Sequence, residues 1–161
     1  MGIKWPNDVW CRDRKLAGVL VEARGFRPDA PAFVAGFGVN VGHAPADLPP
    51  TLRDTATSLR IETGEAPSRV GLLCAVLEAV EGRIDQALRG GTPDLEDVYR
   101  ERSLLPGLEV ELRDGDGPLR GTVADLSARD GLLLRLQDGR HVHVRAEHAR
   151  DVRPARPGAP R

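Results

Sequence analysis

Hydrophobic and polar positions change rhythm twice along this chain of 161 residues. From Val9 to Arg24 two strands are expected, joined by the polar turn Arg12-Asp13-Arg14, the second carried by the apolar run Leu16-Ala17-Gly18-Val19-Leu20-Val21. A third strand, rich in Val and Gly, follows at Phe33 to Val41, and the three predict an antiparallel piece of sheet. Glycine inside a strand weakens it unless backbone must come close to something, so Gly18, Gly36 and Gly38 read as a ligand wall or as tight packing. From His43 to Asp54 the prolines Pro45, Pro49 and Pro50 break every regular pattern and predict a surface loop. Pro67-Ser68 then opens a helix in which Val70, Leu73, Leu77, Val80, Ile84 and Leu88 recur at three- and four-residue spacing; this stripe is expected to pack on a sheet, and Gly90-Gly91 supplies the stop. A shorter helix is expected from Thr92 as N-cap, with Pro93 at its first helical position, to about Ser103.

After Pro106-Gly107 the period becomes two. Leu108 to Leu112, Gly121 to Leu126, Leu132 to Leu136 and Arg140 to Arg145 read as short strands, separated by the turn sequences Asp114-Gly115-Asp116-Gly117, Arg129-Asp130-Gly131 and Asp138-Gly139. Four or five such strands in so short a span predict a small barrel. Pro154 to Arg161 has no apolar periodicity and is expected to be a flexible tail. The fold class is therefore α+β, divided into residues 1–104, residues 105–153 and the tail 154–161, with no internal repeat.

Composition narrows what such a chain does. A formal net charge of −1 at pH 7 lacks the field by which basic proteins gather phosphodiester backbones, so no nucleic-acid partner is expected. No run approaches the roughly 20 apolar residues that span a bilayer, and Met1-Gly2-Ile3-Lys4-Trp5-Pro6 lacks the apolar core of a secretion signal; a cytoplasmic location and no membrane partner are expected. Cys11 and Cys74 are the only cysteines, too few for a disulfide framework or a cysteine-rich metal site. Of the 23 basic residues only Lys4 and Lys15 are lysine, which makes each a candidate for work that a compact point charge does and a planar guanidinium does not. Gly36-Phe37-Gly38 with Gly42 is one residue too long for a dinucleotide fingerprint and sits within strands, and His141 and His143 share a strand face without a third ligand, so neither a Rossmann site nor zinc is assigned.

Three motifs then occur in order: Lys4-Trp5-Pro6-Asn7-Asp8, Arg14-Lys15-Leu16-Ala17-Gly18-Val19-Leu20-Val21-Glu22, and Gly36-Phe37-Gly38-Val39-Asn40-Val41, followed by Ala56-Thr57-Ser58-Leu59. Together they resemble the biotin protein ligases, specifically the C-terminal part of the catalytic domain with the C-terminal SH3-like domain. The resemblance implies a partial class II synthetase-like sheet of the biotin/lipoate ligase type, with helices, ahead of an SH3-like barrel. It also implies an ATP-dependent enzyme that activates biotin as biotinyl-AMP and transfers it to a lysine of a biotin carboxyl carrier protein domain.

An enzyme that joins a carboxylate to ATP brings two anions together, so it needs a fixed cation at the α-phosphate and a metal to neutralise the rest. The resemblance assigns the cation to Lys15, as catalytic residue and as contact to both biotin and ATP. It assigns Gly18 and Gly36 to the biotin slot, where a side chain would fill the space of the bicyclic ring. Asn7, Asp8 and Asn40 are implied to face the nucleotide, with Asp8 and Asn40 as oxygen ligands for Mg²⁺; read alone, Pro6-Asn7-Asp8 is a turn and Asn40 a strand-end side chain. Arg153, near the end of the barrel, falls where the family places an arginine that approaches ATP. The glycine- and arginine-rich loop that the family carries upstream of these motifs has no counterpart here. A truncated product or mis-started reading frame of a longer ligase is expected, which would self-associate as a homodimer or need a complementing N-terminal chain. The alternatives are a non-catalytic ligand-binding or interaction module and a lipoate-type ligase.

Overall fold

The computed structural model of the chain describes residues 1–24, 32–90, 93–115 and 117–155. The expected N-cap Thr92, Gly91 of the helix stop, Asp116 and the tail beyond Ala155 lie outside the described residues. The chain divides into two compact units, Met1–Gly2 with Asn7–Thr92, and Ile3–Pro6 with Pro93–Arg161; a first strand, β1 (Gly2–Lys4), is shared between them.

The first unit is built on β2 (Asp8–Cys11), β3 (Arg14–Arg24) and β4 (Ala32–Val39), all antiparallel. The turn between β2 and β3 is tighter than expected: Arg12 and Asp13 alone make it, at φ 46° and 62°, and Arg14 is already strand, paired with Cys11. Two consecutive left-handed residues give the turn whose twist matches a right-twisted hairpin. The register of β2 on β3 shifts between Val9 and Trp10, placing Trp10 opposite Lys15. β3 and β4 then pair without interruption from Ala17↔Val39 to Arg24↔Ala32. Asn40 lies one residue beyond β4, its amide still donating to the Leu16 carbonyl at 3.0 Å.

The loop after β4 contains two 3-10 turns, Pro45–Asp47 and Pro50–Leu52, and leads to a short helix that the apolar pattern did not predict, α1 (Leu59–Thr63). Ser58 caps it by accepting from the Ile61 amide at 3.1 Å, and Gly64, at φ 88°, ends it. The long helix α2 (Arg69–Leu88) begins, as expected, after Pro67-Ser68; the structure makes Ser68 its N-cap, and Gly90 follows it in the left-handed region. Its packing differs from expectation. Val70, Leu73, Leu77, Ile84 and Leu88 are exposed, while Leu72, Val76 and Val80 are the half-buried row. The helix is apolar on two flanks, so the spacing could not single out which flank is the more buried. An open groove of about 360 Å³ runs between Phe37, Val39 and Val41 on one side and Leu72, Leu73, Val76 and Leu77 on the other.

The second unit holds α3 (Pro93–Arg102) and five antiparallel strands, β5 (Glu109–Asp114), β6 (Gly117–Ser127), β7 (Gly131–Arg135), β8 (His141–Val144) and β9 (Arg150–Pro154), in the order β8-β7-β6-β5-β9. Alternation sends Val110, Leu112, Val123, Leu132, Leu134 and Val144 into one core. Each such side chain contributes roughly 1.5–3 kcal/mol on burial. β9 escaped the sequence pattern because only Val152 of its five residues is apolar and buried, and it takes Pro154 away from the expected tail. Trp5 is only 1% exposed and belongs to this same core, so the chain's start serves the second unit although the next residues serve the first. The turn into β7 needs Gly131: at φ 94°, a Cβ there would stand 2.2 Å from the Val144 carbonyl oxygen.

Candidate functional site

The hairpin β2–β3 and the strand β4 enclose an open cavity of about 760 Å³ within the first unit. Asn7, Asp8, Lys15, Gly18, Gly36 and Asn40, all singled out by sequence, line it together. Lys15 stands at the start of β3, and its Nζ lies 2.6 Å from Asp8 Oδ1; the lysine side chain is 47% exposed and the aspartate 16%. An ion pair with a half-exposed partner contributes only about 0.2–1 kcal/mol. A phosphate or carboxylate entering the cavity can therefore take Asp8's place on the ammonium at small cost.

The two glycines do different things. At Gly18 a Cβ would lie 3.1 Å from Asp8 Oδ1 and 3.3 Å from Lys15 Cε and Nζ, so a side chain would press directly on the ion pair. At Gly36 the nearest atom a Cβ would meet is the Leu20 carbonyl oxygen at 3.8 Å, an ordinary contact. Protein packing thus does not demand glycine at 36. Asn7 is fixed into β3, its Nδ2 donating to the Val19 carbonyl at 2.7 Å while its own carbonyl accepts from the Val19 amide at 2.9 Å. Asn40 is tied through its backbone, donating to Leu16 and accepting from the Leu59 amide at 2.9 Å. Arg153 is on β9 of the second unit, exposed and 3.8 Å from Asp151. His141 and His143 are both exposed on β8.

Two residues of the first unit escaped the sequence reading. The peptide of Lys15 is clamped on both sides by the segment after the proline loop: its amide donates to the Thr55 carbonyl at 2.8 Å, and its carbonyl accepts from the Thr57 amide at 2.9 Å. Thr57 is fully buried and its hydroxyl donates to Glu62 Oε1 at 2.6 Å. Glu62 also takes Arg14 Nη2 at 2.8 Å and the Cys11 thiol at 3.4 Å, with Arg12 Nε at 3.7 Å. The Thr57 hydroxyl above all, then Cys11 and the two guanidiniums, hold this carboxyl below its ordinary 4.5, against the opposing effect of burial. Within a motif of otherwise apolar and small residues, the buried threonine was the available signal; the glutamate, in a short helix, reads as a solvated side chain.

The class these features define is a mostly antiparallel α+β protein whose sheet presents a lysine, a carboxylate and two amides around a glycine-walled cavity. No family model matches the chain. The biotin--[acetyl-CoA-carboxylase] ligase of Mycobacterium tuberculosis is 39% identical over 147 residues, 90% of this chain and 51% of that protein. The bifunctional ligase/repressor BirA of Bacillus subtilis is 29% identical over 137 residues, 85% of this chain and 42% of that protein. Among solved structures, the biotin protein ligase from Aquifex aeolicus in complex with biotin and ATP superimposes with a TM-score of 0.77 at 27% identity, covering 96% of this chain and 62% of that one. The chain is thus a homologue of the biotin protein ligases over most of its own length, and its sheets match their fold. It spans about half the length of the relatives just named, 42% of one and 51% of the other.

Proposed function

We propose that the chain is part of an ATP-dependent biotin–protein ligase that forms biotinyl-AMP and transfers biotin to a lysine of a biotin carboxyl carrier protein domain. The observation that carries this reading is the convergence of Lys15, Asp8, Asn7, Asn40, Gly18 and Gly36 on one cavity. The first unit is read as part of a class II synthetase-like catalytic sheet and the second as an SH3-like barrel, working in the cytoplasm.

In the first step a biotin carboxylate oxygen attacks the α-phosphorus, the bond to the β-phosphate oxygen breaks, and pyrophosphate leaves. Lys15, released from Asp8, is the cation that both anions share as charge gathers on the α-phosphate oxygens. Gly18 and Gly36 leave the wall bare for the ring system, and Asn7 holds β2 against β3 beneath it. Mg²⁺ suits the donor set, since this ion keeps several waters and needs only one or two protein oxygens beside substrate phosphates. Asp8 and Asn40, both on the cavity, would supply those oxygens, and the metal would neutralise the leaving pyrophosphate. Arg153 is assigned to the nucleotide as well. In the second step the neutral amine of the acceptor lysine attacks the mixed-anhydride carbonyl, AMP leaves, and an amide forms.

A pyrophosphate-release assay with ATP and biotin tests the reading. The chain alone is expected to be weak or inactive, and activity is expected when a segment bearing the family's glycine- and arginine-rich loop is supplied. Thermal shifts with biotin, lipoate and ATP separate the ligand classes, because only a ligand of the folded site raises the melting temperature. Stabilisation by lipoate and not biotin would reassign the substrate, and none by any of the three would reject the ligase reading.

A further inference from the structure

We infer that Glu62 is a positioning residue for Lys15, acting through the turn on one side of the lysine and Thr57 on the other. The inference rests on the proposed role of Lys15 as the shared cation. Glu62 does not line the cavity and makes no ion pair with Lys15 among the described residues, so any influence on the lysine runs through intermediates.

Those intermediates are particular. Cys11 and Arg14 are the pair that closes the β2–β3 hairpin, and Arg12 is the first residue of its turn; Glu62 holds all three. Arg14 is the residue immediately before Lys15. Thr57, the fourth partner, donates its backbone amide to the Lys15 carbonyl. One carboxylate therefore ties the turn that leads into Lys15 to the segment that clamps the Lys15 peptide. Among the paired carboxylates of the described residues its side chain is the least exposed, at 8% against 16% for Asp8, and those of Glu22, Asp85, Asp125 and Glu147 are about half in water. Exposed pairs of that kind contribute little, but a buried carboxylate that loses its partners is strongly destabilising locally. The turn itself is built from two left-handed non-glycine residues, which persist only where surrounding contacts over-determine them. Glu62 reaches the first of these residues through Arg12 Nε and the pair flanking the turn through Cys11 and Arg14, and Lys15 leaves that turn opposite Trp10, at the register shift.

The chain has only two lysines, so ¹³Cε-lysine labelling gives one signal for Lys15 and one for Lys4 as an internal reference. Spectra are compared for the wild type, Glu62→Gln, Thr57→Val and, as a control that destabilises the second unit alone, Leu132→Ala. Both first-unit variants are expected to shift or broaden the Lys15 signal and leave Lys4 unchanged, and to weaken ATP binding about tenfold. Leu132→Ala is expected to lower the melting temperature without moving Lys15. A Lys15 signal identical to wild type in Glu62→Gln and Thr57→Val would overturn the inference; should Glu62→Gln fail to fold, Thr57→Val decides alone. Titration of the wild type with ATP separates the two readings. A lysine spectrum indifferent to ATP refutes the nucleotide role of Lys15, whereas the variant shifts judge only the positioning by Glu62.

Discussion

Replacing Gly18 by alanine separates the site from the fold. The added methyl would stand 3.1 Å from Asp8 Oδ1 and 3.3 Å from Lys15 Cε and Nζ, tighter than nearly all real contacts of that kind. Every atom it presses on belongs to the end of a side chain, so the side chains yield by a few tenths of an ångström and the backbone stays. What is lost is the 2.6 Å geometry of an ion pair with a half-exposed lysine, worth about 0.2–1 kcal/mol. For a chain of this size that is a fall in melting temperature of about 2–4 °C at most. The consequence for ligand is larger, because a hydrogen bond to a charged group contributes about 1.5–3 kcal/mol, and a lysine pushed aside forfeits much of it. Calorimetric titration with ATP should therefore show affinity reduced about 10- to 100-fold, with the melting curve nearly unchanged. Gly131→Ala is the mirror-image control: its Cβ would meet backbone, 2.2 Å from the Val144 oxygen, at a φ of 94°. That variant should lose about 3 kcal/mol or more of stability, by overlap and strain together. If Gly18→Ala bound ATP as the wild type does, the placement of Lys15 against Gly18 would have no bearing on the nucleotide. If it instead melted as low as Gly131→Ala, strain would have entered the backbone and the reasoning would fail.

Two pH dependences and one association state follow from the same structure. The Glu62 carboxyl titrates below its ordinary 4.5 in the folded chain, so the unfolded chain takes up the proton first as pH falls; stability is complete above about 4.5, declines below it, and Glu62→Gln should flatten that acid limb in urea melts. Tyr99 donates its hydroxyl to the Pro6 carbonyl at 2.9 Å, and burial first, then the Glu96 carboxylate, pushes its phenol from 10 up to about 12. Here the folded chain keeps a proton that the unfolded chain releases, so stability is complete below pH 10 and is lost as pH climbs toward about 12, a limb that Tyr99→Phe should abolish. Leu20, Val21, Phe33, Val34, Val70, Leu73 and Leu77 are large apolar side chains each more than half exposed, and exposed apolar surface favours association. Light scattering behind size exclusion is expected to find self-association; a clean monomer at tens of micromolar would contradict it.

Much of this was legible because the informative residues are local. Residues 7 to 18 form one hairpin, and period-two alternation places strand residues on faces without any knowledge of the rest. The later strands announced themselves by the same alternation and by their glycine turns, except β9, whose charged sequence leaves only Val152 as a core signal. Long-range facts were not legible. Glu62 and Cys11 are far apart in sequence, and only the fold makes a short-helix glutamate the centre of a hairpin's contacts. Trp5 lies two residues before Asn7 yet fills the core of the other unit, because a large apolar side chain goes where a cavity of its size exists and sequence adjacency exerts no claim. For α2 the pattern predicted the helix and its start after Pro67-Ser68 but not which row is the more buried, since apolar residues on two flanks satisfy the same spacing.

The strand β4 shows why the cavity and the uncovered apolar surface cannot be treated as independent. Successive side chains of a strand point to opposite faces. Gly36, Gly38 and Asn40 are on the cavity, Phe37 and Val39 border both the cavity and the groove beside α2, and Val41 lines the groove. The glycine face gives the strand no side-chain packing to hold it, so its position is set by the pairing with β3 and by whatever presses on the apolar face. Removing water from Phe37, Val39 and Val41 stiffens the same backbone that forms the cavity wall, and a ligand seated against Gly36 stiffens the backbone that carries those apolar side chains. Both events would draw on the freedom of one strand, and linkage requires that any effect of covering the groove on ligand affinity equal the effect of ligand on covering the groove; ATP affinities measured with wild type and Val41→Ser are expected to differ, and equal affinities would refute the coupling.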